Sequence, residues 1–245
     1  MNVIDEIQGL FILQKVISPG FILPVNRSYQ RQYAANITKG QYDMKNYYLY
    51  LIRHGLTQGN LDGKYIGQTD LALCPDGENE IRRLLTQGVY PGVERVYSSP
   101  LKRCTETARI IYPKIPLTKV DELAEMDFGE FEGKRQSEIA DMPEYTEWLK
   151  GGAEACPPGG EKFGDFSLRC ISGLDIIFSD MMNKELTRAA VITHGGVITN
   201  LLAGFGLPKG KPADFMLPPG GGYEIILSAF LWQKGPVFEI SGRLF

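Results

Sequence analysis

The stretch Tyr47-Tyr48-Leu49-Tyr50-Leu51-Ile52, followed at once by Arg53-His54-Gly55, decides the fold. An unbroken aromatic and aliphatic run predicts a β-strand. The abrupt change to a cation, an imidazole and a residue without Cβ places polar groups just past the strand end, where open α/β sheets hold their ligands. The pattern recurs: Ala189-Ala190-Val191-Ile192-Thr193 predicts a second strand, and His194-Gly195-Gly196 follows it. Both histidines of the chain are therefore expected at strand ends.

Outward from these two runs, Val93–Tyr97 predicts a further strand between helical stretches at Asp76–Gln87 and Pro100–Tyr112. Glu161–Asn183 predicts a long helix in which Phe163, Phe166, Cys170, Leu174, Ile177, Phe178 and Met181 recur at spacings of three and four, a stripe for core packing. Val197–Phe205 reads as a helix, and Tyr223–Leu231 with Val237–Ile240 as a C-terminal hairpin. Pro143–Gly160, broken by Gly151-Gly152, Pro157-Pro158 and Gly159-Gly160, is expected to be an irregular excursion over the sheet. The alternation predicts an α/β domain of three layers, α/β/α, around a mostly parallel sheet.

That pattern begins at Met44, so residues 1–43 are expected to be an N-terminal extension to a catalytic domain at 44–245, with Met44 as the true start. Gly9–Val25 is apolar but interrupted by Gln14, Lys15, Pro19 and Pro24, too short and broken to span a bilayer. It follows an acidic start and lacks the basic leader and cleavage site of a signal peptide, which leaves a peripheral apolar anchor as its one membrane role. Across 245 residues, 43% hydrophobic and 22% charged composition excludes disorder as the dominant state. Lys and Arg number 26 against 29 Asp and Glu, so no global basic field draws the chain to nucleic acid. Cys74, Cys104, Cys156 and Cys170 stand far apart without a C-x-x-C pair, which indicates neither a zinc cluster nor a disulfide framework and fits a reducing cytoplasm.

Three further segments carry chemistry. Behind Arg53-His54-Gly55, Thr57 and Asn60 lie in a polar turn able to donate to an anion. In Ser98-Ser99-Pro100-Leu101-Lys102-Arg103-Cys104, serine followed by proline is an ordinary helix start, but Lys102 and Arg103 then fall where the helix dipole disfavours cations. Something anionic should compensate, and a phosphate held by the planar fork of Arg103 would do so. In Leu123-Ala124-Glu125-Met126-Asp127-Phe128-Gly129-Glu130, acids alternate with apolar residues. Glu125 is expected to be buried against Phe128, where desolvation raises a carboxyl pKa and makes a proton donor; Asp127 and Glu130 remain alternatives.

Together, Arg53-His54-Gly55-x-Thr57-x-x-Asn60, Ser98-Ser99-Pro100-Leu101-x-Arg103-x-x-x-Thr107-Ala108, Glu125-x-x-Phe128-Gly129-x-x-Glu132-Gly133 and His194-Gly195-Gly196 resemble the histidine phosphatase superfamily, of phosphoglycerate-mutase-like fold, in order and spacing. Gly67-x-Thr69-Asp70-Leu71 and Pro157–Glu161 match further family segments; residues 1–43 have no counterpart, and Leu56 stands where the family often has Glu. The resemblance implies a phosphomonoesterase in which His54 is the nucleophile and forms a phosphohistidine. Arg53, Arg103 and His194 would surround the phosphoryl group, Asn60 and the Gly195 N–H would donate to it, and Glu125 would serve as acid and base. It implies no metal and no other cofactor, with a small phosphate monoester as the partner. Gln68 and Thr69 are expected at the pocket mouth as substrate contacts. The layout is similar to α-ribazole phosphatases and broad-specificity phosphatases. A phosphoglycerate-type mutase and a non-catalytic module of the same fold are the competing expectations; the moderate segment after Gly133 favours hydrolysis, and retention of the nucleophile and both arginines disfavours the module.

Overall fold

The computed structural model describes residues 45–245, so the expected extension at 1–43 and the start at Met44 lie outside the described residues. The opening run forms β1 (Asn46–Arg53). Leu49 and Leu51 enter one core and Tyr50 and Ile52 the other, all buried, which is why the strand shows no polar alternation. After the short α1 (Gln58–Leu61) comes α2 (Pro75–Thr86), begun by a proline and turning Ile81 and Leu84 inward. Next follow β2 (Arg95–Ser98), α3 (Lys102–Ile111) and the edge strand β3 (Leu117–Lys119). Two small helices, α4 (Gln136–Ile139) and α5 (Pro143–Leu149), lead to the long α6 (Phe163–Asn183). The chain closes with β4 (Arg188–Thr193), α7 (Gly195–Phe205), β5 (Gly206–Leu207), β6 (Gly222–Ser228), α8 (Ala229–Lys234) and β7 (Phe238–Arg243).

Among the described residues the sheet has seven strands in the order β3-β2-β4-β1-β6-β7-β5. Pairs β1/β4, β2/β4, β2/β3 and β5/β7 are parallel, while β1/β6 and β6/β7 are antiparallel. One face packs on α2 and α3 through Ile81, Cys104, Ala108 and Ile111; the other packs on α6 and α7 through the expected Phe163-to-Met181 stripe, Val197, Ile198 and Leu201. The three-layer α/β/α arrangement is thus the expected one.

Three local expectations are corrected. The excursion at Pro143–Gly160 contains α5, because Pro143 suits a first helical turn and Tyr145 and Trp148, three residues apart, bury one side of it. The C-terminal hairpin is interrupted: β6 stops at Ser228, whose hydroxyl accepts the Leu231 N–H at 3.2 Å and caps α8. β2 begins at Arg95 rather than Val93.

Register carries the site. Parallel pairing aligns Arg53 with Thr193 and Ser98 with Ile192, so His54, His194 and Ser99 leave three adjacent strand ends side by side. Backbone bonds continue the ladder by one residue, His54 N–H to Thr193 O at 2.9 Å and Ser99 N–H to Ile192 O at 2.9 Å.

Candidate active site

The two imidazoles lie 5.2 Å apart between ring centroids, at 65°, and both are buried. His54 Nδ1 is 2.7 Å from the Gly55 carbonyl. A carbonyl only accepts, so the proton sits on Nδ1 and the Nε2 lone pair is free. Gly55 is needed here: a Cβ would come within 2.9 Å of Ile81, and its N–H is donated to Thr107 Oγ1 at 3.0 Å. Burial, with Arg103 and Arg53 adding like charge, holds His54 well below the ordinary imidazole value, so the ring is neutral near pH 7. His194 is fixed in the opposite sense. Arg103 Nε donates to its Nδ1 at 3.2 Å, which puts the ring proton on Nε2, donated to Ser99 Oγ at 2.8 Å. Burial and then Arg103 lower its pKa too.

The cations are held by backbone. Arg53 Nη1 donates to the Leu217 carbonyl at 2.5 Å, and a Cβ on Gly195 would lie 3.3 Å from Arg53 Nε, so glycine lets that side chain cross the start of α7. Arg103, 1% exposed, donates from Nη1 to Thr69 O at 2.8 Å and from Nη2 to Gly67 O at 2.7 Å. The anion expected to offset Lys102 and Arg103 at the start of α3 is supplied within the chain: Asp70 Oδ1 accepts the Lys102 N–H at 2.6 Å, and Lys102 Nζ stands 3.7 Å from Asp70 Oδ2. A cation in that first turn therefore needs no phosphate to explain it.

Among the three candidate acids, Glu125 is buried, Asp127 is half-buried and accepts the Gly129 N–H at 2.8 Å, and Glu130 is exposed. Backbone N–H groups hold the buried Glu125 carboxylate. Its Oε2 accepts the Gly196 N–H at 3.0 Å in the first turn of α7 and its Oε1 the Met126 N–H at 3.0 Å, while Phe128 turns its ring to Tyr65 and Trp148. A side chain at Gly196 would collide with this carboxylate. Desolvation raises the Glu125 pKa against the lowering by these two N–H groups and by Arg103 and Arg53.

Asn60 accepts from Thr57 N–H at 3.1 Å and Thr57 Oγ1 at 3.0 Å through Oδ1, capping α1, so its Nδ2 is the atom left to meet an anion. Gln68 and Thr69 sit on the loop whose carbonyls hold Arg103: Gln68 Nε2 donates to Glu125 O at 2.6 Å, and Thr69 Oγ1 to Glu132 Oε2 at 2.6 Å. Sequence reasoning missed Arg169, which reaches from α6 to the Glu122 and Ala124 carbonyls at 2.8 Å and pairs with Glu161 at 2.8 and 2.9 Å. A cation interrupting an apolar helical stripe was the available signal. Among the described residues no group of three or more His, Cys, Asp or Glu is gathered to hold a metal, and no helix is long and apolar enough to cross a membrane.

Fold and site together define a class: an open α/β sheet with two buried histidines and two buried arginines gathered at its carboxyl edge. The chain belongs to the histidine phosphatase superfamily (branch 1), whose family model matches residues 49–229. It is 31% identical over 172 residues to the adenosylcobalamin/alpha-ribazole phosphatase of Escherichia coli K12, covering 69% of this chain and 82% of the relative. It is 33% identical to the phosphoglycerate mutase-like protein 4 of Arabidopsis thaliana over 62% of this chain and 67% of that one. The alpha-ribazole phosphatase of Shigella flexneri superposes with a TM-score of 0.65 at 27% identity, covering 80% of this chain and 95% of that one. Family and fold are those the sequence led us to expect.

Proposed function

We propose that this protein is a phosphomonoesterase that works through a phosphohistidine on His54 and needs no metal. His54 Nε2 attacks phosphorus in line, the bond from phosphorus to the ester oxygen breaks, and Glu125 gives its proton to the departing alkoxide. Glu125, now a carboxylate, takes a proton from water as that water attacks phosphorus; the P–N bond breaks, its electron pair returns to Nε2, and phosphate leaves. Arg53 and Arg103 stabilise charge on the equatorial oxygens, with Asn60 Nδ2 and the Gly195 N–H as further donors, which supplies electrostatically what a metal supplies elsewhere. His194, whose Nδ1 accepts from Arg103 and whose Nε2 proton goes to Ser99, orients the Arg103 fork. The observation that carries this reading is the Nδ1 bond of His54 to Gly55 O, which leaves the Nε2 lone pair free on a ring that burial, Arg103 and Arg53 hold neutral. The relatives support a small phosphate monoester as substrate, α-ribazole phosphate among them. The free cysteines, three of the four buried, support a reducing cytoplasm as its setting.

The enzyme is expected to release phosphate from p-nitrophenyl phosphate in the presence of a chelator, and His54→Ala to abolish release, a loss of at least ~10⁴-fold. A rapid quench should trap acid-labile, base-stable label on the wild-type chain. Undiminished release by His54→Ala would end this reading, and conversion of 3- to 2-phosphoglycerate without free phosphate would replace it with a mutase.

A further inference from the structure

Arg103 poses a problem of support. A buried guanidinium must satisfy its donors, yet its hydrogen bonds go to neutral acceptors, the carbonyls of Gly67 and Thr69 and Nδ1 of His194. Neutral acceptors leave its charge available to an incoming phosphoryl group, where a direct carboxylate partner would compete. The cost is that its aim depends on two carbonyls of an irregular loop. What fixes that loop is Glu132. Its Oε1 accepts the N–H groups of Gly67 at 2.8 Å, Gln68 at 3.0 Å and Phe128 at 3.3 Å; its Oε2 accepts the Thr69 hydroxyl at 2.6 Å and the Thr69 N–H at 3.4 Å. One carboxylate therefore grips the amide edge of the same residues whose carbonyl edge grips the guanidinium. The approach is close enough to require glycine at 67, where a Cβ would overlap the Met126 carbonyl and the Glu132 carboxylate.

We propose that Glu132 is a positioning residue for phosphoryl transfer, aiming Arg103 through the backbone of residues 67–69. The inference rests on the reading of Arg103 as a phosphoryl-binding group. It separates Glu132 from Glu125: the two acids stand seven residues apart in one stretch, but one would handle a proton and the other would fix the direction of a charge.

A double-mutant cycle tests it, read as kcat/KM on p-nitrophenyl phosphate and as orthovanadate affinity, with thermal midpoints measured alongside. Glu132→Gln keeps one accepting oxygen and loses the other. It should lower kcat/KM about 30-fold in the wild-type background, mostly in kcat, because a misdirected guanidinium fails most where charge develops. In the Arg103→Lys background, where no fork remains to be aimed, the same change should cost less than ~3-fold. Combined with Glu125→Gln, the losses should multiply. Thr69→Val, which removes one hydroxyl donor, should give a smaller loss of the same kind, again absent in Arg103→Lys, and serves if Glu132→Gln does not fold. An equal loss in both arginine backgrounds, in rate and vanadate affinity, would overturn the inference while leaving the proposed function standing. Full activity of Arg103→Lys and Arg103→Ala would overturn the assignment of Arg103, and this inference with it.

Discussion

His54 and His194 stand immediately beyond the adjacent strands β1 and β4, whereas Glu125 stands in a stretch between β3 and α4 whose only regular pieces are two three-residue 3₁₀ turns, at Asp121–Leu123 and Gly129–Phe131. On the imidazole side the sheet register sets the spacing, and backbone carbonyls of Gly55, Leu217, Gly67 and Thr69 set the direction of the His54 ring and of both forks, while Arg103 and Ser99 fix His194. On the acid side no ladder exists, so side chains from elsewhere hold the backbone: Arg169 from α6, and Glu161. On the proposed mechanism, charge stabilisation is thus built into the sheet, and proton transfer is hung beside it. Changes on the first side should slow every substrate alike, and changes on the second should discriminate between leaving groups.

Among the changes that test this division, the largest effect should come from Arg103. Arg103→Ala is expected to lower kcat/KM about 10³-fold and Arg103→Lys about 10²-fold, since a point charge cannot bond both loop carbonyls and keep a planar face to the phosphoryl oxygens. Both losses should be the same for p-nitrophenyl and alkyl phosphates. Wild-type activity in Arg103→Lys, or a loss that grows with leaving-group pKa, would break the division between the two sides.

Glu125→Gln should come next and behave differently. Alkyl esters, which leave as strongly basic alkoxides, should slow about 10²-fold, and p-nitrophenyl phosphate less than about 10-fold. The pH profile of kcat/KM sharpens the contrast. His54 must be neutral, and burial with the two arginines depresses its pKa, so the acid limb should appear well below 6.5. Glu125 must be protonated, and burial raises its pKa, so activity should fall as pH rises through that raised value. Glu125→Gln should remove this alkaline limb and leave the acid limb in place. A uniform loss, or survival of the alkaline limb, would move the proton donor to Asp127 or elsewhere.

The same division explains what was legible in the chain. His54 and His194 could be read because a strand announces its own end: Leu51-Ile52-Arg53-His54 and Ile192-Thr193-His194 change character at the residue where the chemistry starts. Arg103 could be read as out of place in a first helical turn, although Asp70 turned out to supply the compensating charge. Glu125 could be chosen only as one of three acids, because nothing local states that its carboxylate will meet the N–H of Gly196, 71 residues away. α5 was hidden by the glycines and prolines around it, and α8 by a β-rich run that a single serine cap diverts. The roles of Arg169 and Glu132 were hidden for the same reason, although one stands out as a cation beside an apolar stripe and the other belongs to the quoted Glu132-Gly133 motif. They bind backbone groups distant in sequence, and such groups leave no mark in the residue pattern.

Arg169 provides the mildest and most selective probe. It is partly buried, pairs with Glu161 through two nitrogens and holds the Glu122 and Ala124 carbonyls, so Arg169→Met should lower stability by about 1–3 kcal/mol, read as a thermal midpoint. Its effect on activity should pass through the acid alone, because its carbonyl partners belong to the residues that lead into Glu125. Alkyl phosphates should slow about 10-fold and p-nitrophenyl phosphate hardly at all, and in the Glu125→Gln background the substitution should change neither. If Arg169→Met instead slowed p-nitrophenyl phosphate as much as alkyl esters, the acid stretch and the imidazole floor would be one mechanical unit. The separation between a sheet-built charge site and a clamped proton donor would then have to be abandoned.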